Sequence, residues 1–451
     1  MVSEDAEGRL LSISNISELA SRFRKIAQKR SLVVCLCDNN LESLAGYLTF
    51  INLDMVQLLL DQNLDDSHLV GLIEEYRPQF MWLPKTKLDL LTSYCFQSVE
   101  EYEGYVLCKF DYLSYKLHPN LSLLLTTSGS TGSPKMVRLS ASNLSANAKS
   151  ISEYLKISKA DRPITSLPFH YSYGLSVINS HLISGAKILM TNFSIARKEF
   201  WEFFRKNDAT SFAGVPFSYE ILDRIRFHKM DVPCLQTMTQ AGGRLSTNLV
   251  KKFSDFCKSN NRRFFVMYGQ TEATARISFL EPEMINSKLG SIGKSIPQGE
   301  LSIDYSDNNS EQGELLYRGP NVSLGYANSW RDLANGDDNK GILRTGDLAR
   351  VDNDGYFFIT GRKKRFIKLF GNRINLDSVE QLAEELFGTC ACSGNDQKLI
   401  VHHCLNTEIE EKLKLLSLKL GIHKSAIAEC QYEELPLGGN GKIDYLRLSV
   451  N

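Results

Sequence analysis

The sequence predicts an α/β fold of more than one domain: helix-covered parallel sheets, then a smaller β-rich subdomain, then a small α+β tail. Three observations lead there. Short apolar runs alternate with stretches of helical spacing through the first half, and strand and helix taking turns imply parallel sheets covered on both faces. After Leu289 the texture changes to short β-like runs broken by Gly, Asn and Asp. At 451 residues the chain also exceeds what one compact core supports.

In chain order, Leu32 to Cys37, Leu121 to Leu125, Ile164 to Leu167, Lys187 to Met190 and Phe264 to Tyr268 read as buried strands. Leu41 to Ile51, Asp66 to Tyr76, Asn143 to Tyr154, Arg197 to Lys206, Phe217 to Arg226 and Thr247 to Ser259 carry helical spacing. Beyond Leu289 come the strand-like runs Gly299 to Ile303, Gly313 to Arg318, Leu348 to Val351 and Tyr356 to Thr360. Asn353-Asp354-Gly355 between the last two is a hairpin turn signal. The basic run Gly361 to Lys368 precedes a helix over Ser378 to Phe387, a strand near Leu399 and an amphipathic helix over Ile409 to Leu420. The expected division is a large domain over 1–361, β-rich from about 290, and a small C-terminal domain over 362–451.

Hydrophobic residues make up 43% of the chain, ample for burial. Lys plus Arg and Asp plus Glu number 52 each, so no global field favours nucleic acid, a membrane surface or a polyanion. The ten cysteines include only the tight pairs Cys35-x-Cys37 and Cys390-x-Cys392, neither a C-x-x-C motif, which suits a reduced, cytoplasmic chain. Cys390, Cys392, His402, His403 and Cys404 match no common metal spacing, and Lys398 to Cys404 reads as a buried strand. The acidic, polar N-terminus predicts no secretory signal, and no stretch nears the roughly 20 apolar residues of a membrane span.

The chemistry-bearing segments are local. Thr126 to Lys135, TTSGSTGSPK, follows a strand-like run and has the makings of a phosphate-binding loop. Gly129 and Gly132 let backbone N–H groups approach an anion, the Ser and Thr hydroxyls add donors, and Lys135 supplies a point charge. It is no Walker motif, since Pro134 precedes the lysine and no Ser or Thr follows it. A Ser/Gly-rich linker has the same composition. In VMYGQTEATA, Val266 to Ala275, Glu272 is suited to hold Mg²⁺ beside a triphosphate or simply to cap a helix. In LRTGDLARVDNDGYFFITGR, Asp347 has the chemistry to accept two ribose hydroxyls with Arg362 as a further donor, or to be a turn residue. Lys442 sits on a Gly-rich turn near the C-terminus, in LPLGGNGKIDYLRL.

Taken together, TTSGSTGSPK, YGQTEAT, GELLYRGPNVSLGY, RTGDLARVDNDGYFFITGRKKRFIKLFGNRIN and NGKIDY resemble, in order from residue 126 to 445, the signatures of the adenylate-forming superfamily. That superfamily holds acyl- and aryl-CoA synthetases, nonribosomal peptide synthetase adenylation domains and luciferases. The resemblance implies a large N-terminal domain of two helix-covered, mostly parallel sheets plus a small β-barrel-like subdomain, followed by a small mobile C-terminal domain. It implies an ATP- and Mg²⁺-dependent acid–thiol ligase: a carboxylate attacks the α-phosphorus, pyrophosphate leaves, and CoA or a carrier protein's phosphopantetheine displaces AMP. The partner it implies is a small-molecule carboxylic acid, with an acyl carrier protein as the alternative acceptor to CoA.

By the same resemblance Thr127, Ser128, Gly129, Ser130, Thr131, Gly132 and Lys135 hold the β- and γ-phosphates. Thr271 contacts the α-phosphate, Glu272 holds Mg²⁺, and Gly242, Gly243, Tyr268, Gly269 and Gln270 enclose the nucleotide. Asp347 and Arg362 take the ribose, and Lys442 bridges the carboxylate and α-phosphate oxygens. Lys364 is the hinge position, and Arg373 faces the site in the thioester-forming arrangement.

Departures refine this picture. In SLPFHYSYGLSVIN the position of the family's aromatic gate falls on Tyr171, with His170 before it, and either ring could gate. The gate segment lacks the aspartate that amino-acid-activating members keep, which favours a plain carboxylic acid. Gly214, Val215 and Pro216 line the expected acid pocket with Gly242. Met136 replaces a common glycine, a neutral exchange if the backbone there is helical. The phosphate loop arrives early for the family and the tail from Glu380 to Lys442 lacks its usual apolar Val/Ala-rich segment, so the resemblance implies adenylation more firmly than the thioester step and leaves a carrier protein open as acceptor. A stand-alone amino-acid adenylation enzyme and a non-catalytic nucleotide-binding regulator are the alternatives.

Overall fold

The computed structural model describes residues 2–27, 30–126, 135–305, 311–363, 365–369, 372–395, 397–420, 422–438 and 442–448. It forms two compact units. The first comprises Met1–Leu289, Ser295–Glu300 and Arg318–Leu343, and the second Gly290–Lys294, Leu301–Tyr317 and Arg344–Asn451.

The first unit is the expected helix-covered α/β body. Its eight-stranded sheet runs Gly325–Ala327, Met136–Ser140, Leu121–Thr126, Val56–Asp61, Leu32–Cys37, Phe80–Pro84, Tyr105–Phe110, Phe96–Tyr102. The pairings among the Leu121, Val56, Leu32 and Phe80 strands are parallel, and those flanking them antiparallel. All six residues of Leu32–Cys37 are buried, because both faces are covered. Val33, Cys35 and Cys37 pack with Phe23, Tyr47 and Phe50 on one side. Leu32, Val34 and Leu36 pack with Leu69, Ile73 and Tyr76 on the other. A continuous apolar run is thus what a two-sided strand requires.

A second sheet sets Ser211–Gly214, Thr237–Gln240 and Arg263–Tyr268 in parallel and adds Ser278–Leu280 antiparallel. Two local expectations are corrected. Ile164 to Leu167 is no strand: Pro163 and Ile164 make only isolated bridges, to Ser211 and Leu189, Pro163 having no N–H for a ladder. Met136 is not helical but opens the strand Met136–Ser140, fixed between Leu121–Thr126 and Gly325–Ala327. The helix follows only at Ala141–Leu155, where the Ser140 side chain accepts from the Asn143 N–H.

The strand Ile342–Val351, in the second unit from Arg344 onward, and Phe357–Arg362 form the expected hairpin, with Gly355 at φ +80° and the Asp352 carboxylate accepting from the Asp354 and Tyr356 amides. Downstream, Cys390–Gly394, Leu399–His403 and Ile427–Gln431 make a three-stranded sheet that packs with the helices Leu376–Phe387 and Ile409–Leu420. His402 and His403 are interior side chains here: His402 lies 2.6 Å from the Ser393 hydroxyl and His403 2.9 Å from Glu429.

Candidate active site

The first unit gathers one set of the candidate residues. Leu121–Thr126 and Met136–Ser140 pair antiparallel with Thr126 opposite Met136, so the segment expected to bind phosphate runs between two neighbouring strand ends. Thr127, Ser128, Gly129, Ser130, Thr131 and Gly132 lie outside the described residues. Lys135, at the loop's end, holds its Nζ 5.5 Å from the Tyr326 ring centre. The Tyr326 hydroxyl donates to Glu272 Oε1 at 2.8 Å, and burial next to that carboxylate raises the phenol above its ordinary range. Lys135, Tyr326 and Glu272 therefore converge from three segments. Tyr326 was not singled out in the sequence, although it closes the run GELLYRGPNVSLGY.

Glu272 rides on a tight turn, Thr271–Ala273, directly after the strand Arg263–Tyr268. The turn is strained: Thr274 has φ 56° and Ala275 φ 101°. Gly269 is obligatory, because a Cβ there would overlap the Ala275 carbonyl. Buried Asn321 braces the turn, its amide donating to the Ala273 and Arg276 carbonyls at 2.7 and 2.8 Å, while the Thr274 hydroxyl donates to the Asn321 carbonyl at 2.6 Å. Gln270 Nε2 donates to the Tyr268 hydroxyl at 3.2 Å.

The Thr271 and Ser172 hydroxyls are 3.1 Å apart, Ser172 opening the helix Ser172–Ile183. Tyr171 is its N-cap. Gly242, at φ +84°, lies under the Tyr171 hydroxyl, which a Cβ would meet at 2.6 Å. Burial pushes the Tyr171 phenol up to about 12. His170 points elsewhere, its Nε2 3.9 Å from Asp61, and burial lowers it below the usual histidine range. Gly243 faces Pro216, and Gly214 faces Tyr219, Ser218 and Phe212, packing that seats the helix Pro216–Arg224.

The second unit carries the other set. Asp347 and Arg362 are register partners, and Arg362 Nε donates to Asp347 Oδ1 at 3.2 Å. Asp347 is buried and Arg362 exposed, so the carboxylate is held while the guanidinium faces water. Lys442 follows residues outside the description, but its carbonyl accepts from the Gly438 amide at 2.7 Å and Ile443 bridges Leu437. Three residues on, Tyr445 stacks on Arg365 at 4.1 Å and donates to Glu380 at 2.8 Å. Arg365 also binds Asp377, Glu380 Oε2 and the Cys392 carbonyl. Lys364 lies outside the described residues; Arg373 is in the strand Asn372–Asn375, its side chain not described.

A hard carboxylate fixed by a tyrosine hydroxyl beside a lysine fits a Mg²⁺ that draws its remaining oxygens from phosphate and water. The strained acidic turn and the helix start stand together on one α/β body.

Residues 14–327 match the model of the AMP-binding enzyme family, and the chain belongs to that family. It is 30% identical over 267 residues to the oxalate–CoA ligase of Arabidopsis thaliana, covering 56% of this chain and 50% of that protein. To the 2-succinylbenzoate–CoA ligase of Bacillus subtilis it is 29% identical over 283 residues, covering 61% and 56%. The chain thus spans about half the length of these curated relatives. The fold is that of the o-succinylbenzoate CoA synthetase of Bacillus subtilis solved with its acyl-adenylate, with TM-score 0.77, 21% identity and 97% and 92% of the two chains covered. It also matches fatty acyl-adenylate ligases from E. coli and L. pneumophila, with TM-score 0.74, 20% identity and 99% and 93% covered. No helix among the described residues is long and apolar enough to cross a membrane.

Proposed function

We propose that the chain is an AMP-forming acid–thiol ligase. A carboxylate oxygen attacks the α-phosphorus of ATP, the bond to the β-phosphate breaks, and pyrophosphate leaves. A thiol sulfur of CoA or a carrier protein's phosphopantetheine then attacks the acyl carbon, AMP departs, and the thiol proton passes to solvent. The observation that carries this reading is the convergence of Lys135, Tyr326 and Glu272 beside Thr271 and the start of the helix Ser172–Ile183. The names of its relatives, CoA ligases of small carboxylic acids, support it.

Bound Mg²⁺ would neutralise the phosphates and orient the leaving group. Glu272 would hold it, Tyr326 aiming the carboxylate by its hydrogen bond. Lys135 and residues 127–132 would hold the pyrophosphate portion, and Thr271 the α-phosphate. Tyr171 would gate the acid against Gly242, with His170 and Gly214 supporting the pocket walls. Gly243, Tyr268, Gly269 and Gln270 would enclose the adenine end, and Asp347 with Arg362 would take the ribose. Lys442 would stabilise the charge that grows between carboxylate and phosphate. No protein nucleophile is needed, because positioning and electrostatics do the chemistry. We assign 1–361 to nucleotide and acid binding and 362–451 to delivery of Lys442, with Lys364 as hinge and Arg373 serving the thioester step.

Pyrophosphate exchange with panels of aryl, short-chain, fatty and amino acids tests this. Exchange with a plain carboxylic acid is expected, and Lys442→Ala should slow it by about 10²–10³-fold without abolishing ATP-dependent thermal stabilisation. Exchange with amino acids alone, or full activity in Lys442→Ala, would defeat the reading.

A further inference from the structure

The helix Ser172–Ile183 leads away from the Ser172–Thr271 contact alongside the parallel strands of the second sheet, and a narrow cavity lies there. Ser176 and Ser180 line it from the helix, Ala213, Thr239 and Met267 from the strands, and Arg276 from the segment after the strained turn. Arg276 is 2% exposed. Its guanidinium lies flat on the Tyr173 ring, 4.0 Å from the centre, and its Nε finds no hydrogen-bond partner among the described residues. Burying a guanidinium with an unused N–H is costly unless something completes its donor set.

The other charged groups at this cavity are already engaged. Arg263 donates to the Leu155 carbonyl at 2.8 Å and to the Thr237 hydroxyl at 2.7 Å. Asp161 accepts from the Ser158 amide at 2.8 Å and the Thr210 hydroxyl at 3.1 Å. His181 is held neutral by burial, its Nδ1–H donating to the Val177 carbonyl at 2.8 Å. Arg276 shares its guanidinium with the Tyr154 hydroxyl but keeps its Nε–H unspent. A guanidinium stacked on a ring keeps its in-plane Nε edge open, and that edge can donate to a carboxylate.

We propose that Arg276 binds a second carboxylate at the far end of the acid being activated, so that the substrate is a short dicarboxylic acid. This rests on the adenylation reading for the position of the first carboxylate, near Thr271. Ser172, which contacts Thr271, and Ser176, which lines the cavity, are one helical turn apart, roughly 6 Å along the axis. A linker of a few carbons between the two carboxylates spans that distance. A long alkyl chain would instead bury its methylenes against an uncompensated cation.

The test uses the full chain and two readouts. Calorimetric titration of succinate, glutarate and adipate, each beside its monomethyl ester, with a non-cleavable ATP analogue and Mg²⁺ present, measures binding without turnover. Pyrophosphate exchange with the same acids measures kcat/KM. The best diacid should bind about 30-fold tighter than its ester, and Arg276→Met should erase that ratio by weakening the diacid while leaving the ester within about 3-fold. Arg276→Lys should keep part of the preference and the diacid's KM should rise more than kcat falls, a split that general damage to the fold does not produce. Wild-type protein that binds ester and diacid alike overturns the proposal without any variant, and so does an Arg276→Met protein that loses both equally. If the diacid preference and its dependence on Arg276 hold while no acid supports exchange, the adenylation reading fails and the carboxylate site stands.

Discussion

Asn321 bears on both stability and activity, because one side chain braces the strained turn that carries Thr271 and Glu272. Asn321→Ala removes two amide hydrogen bonds, at 2.7 Å to the Ala273 carbonyl and 2.8 Å to the Arg276 carbonyl. The two losses are unequal. The Arg276 carbonyl still accepts from Asn147 at 3.2 Å, so losing that bond costs about 0.5–1.5 kcal/mol. Among the described residues no other donor serves the Ala273 carbonyl, and leaving it bare in the interior costs about 1–3 kcal/mol. The substitution should therefore destabilise the first unit by about 2–4 kcal/mol, read from urea denaturation followed by tryptophan fluorescence. Activity should fall further than stability implies. Ala275 at φ 101° stays in that conformation only while its surroundings impose it, and relaxation would swing Glu272 away from Lys135. Displacements of an ångström cost about 10²-fold in positioned reactions, so pyrophosphate exchange at saturating substrate should drop about 10–100-fold well below the unfolding midpoint. An Asn321→Ala protein within about 0.5 kcal/mol of wild type, the scatter of surface substitutions, and of normal exchange rate would refute the bracing role.

Gly269→Ala should be more severe, since its Cβ would overlap the Ala275 carbonyl and push the turn open; soluble protein with an intact far-UV spectrum but no measurable exchange is expected, and normal exchange would contradict the packing. His181 sets a pH dependence: burial lowers it to about 4 against an unfolded value near 6.5, so between those values the unfolded chain binds the extra proton and stability falls as pH drops. The loss should approach about 3 kcal/mol by pH 4 and vanish above about 6.5, and His181→Asn, which keeps a donor for the Val177 carbonyl, should flatten urea midpoints between pH 7 and 5. In the second unit, Arg365→Ala should leave Asp377 and Glu380 without their shared cation and Tyr445 without its stacking partner. About 3 kcal/mol of destabilisation and faster amide exchange across 436–448 are expected, with unaltered exchange there counting against a link between Arg365 and the Lys442 turn.

Much of the fold was legible because its signals are local. Leu32–Cys37 reads as a buried strand since both of its faces must be apolar, and Asp66–Tyr76 and Thr247–Ser259 match their periodicity to the residue. Asn353-Asp354-Gly355 names its own hairpin, because the turn needs a residue at positive φ where Gly355 stands. Ile164 to Leu167 misled for the same reason in reverse: apolar residues near Pro163 fill a seam between two sheets without forming a ladder. Met136 misled because nothing local distinguishes a strand that enters a sheet from a helix start; pairing with Leu121–Thr126 decided it.

What the sequence determined by itself was the family and its candidate machinery. Lys135, Glu272, Asp347, Arg362 and Lys442 stand in ordered, residue-specific segments whose chemistry is written in their composition. Only the tertiary structure decided how those groups are held. Tyr326 reaches Glu272 across 54 residues, Asn321 reaches Ala273 across 48, and Ser172 reaches Thr271 across 99, partnerships that no window of sequence contains. The character of Arg276 was likewise invisible: an arginine in a sequence is a surface charge by default, and only burial against Tyr173 with an unspent Nε makes it a binding group. Composition and spacing are set along the chain, whereas burial and donor satisfaction are set by what folds against a residue from far away.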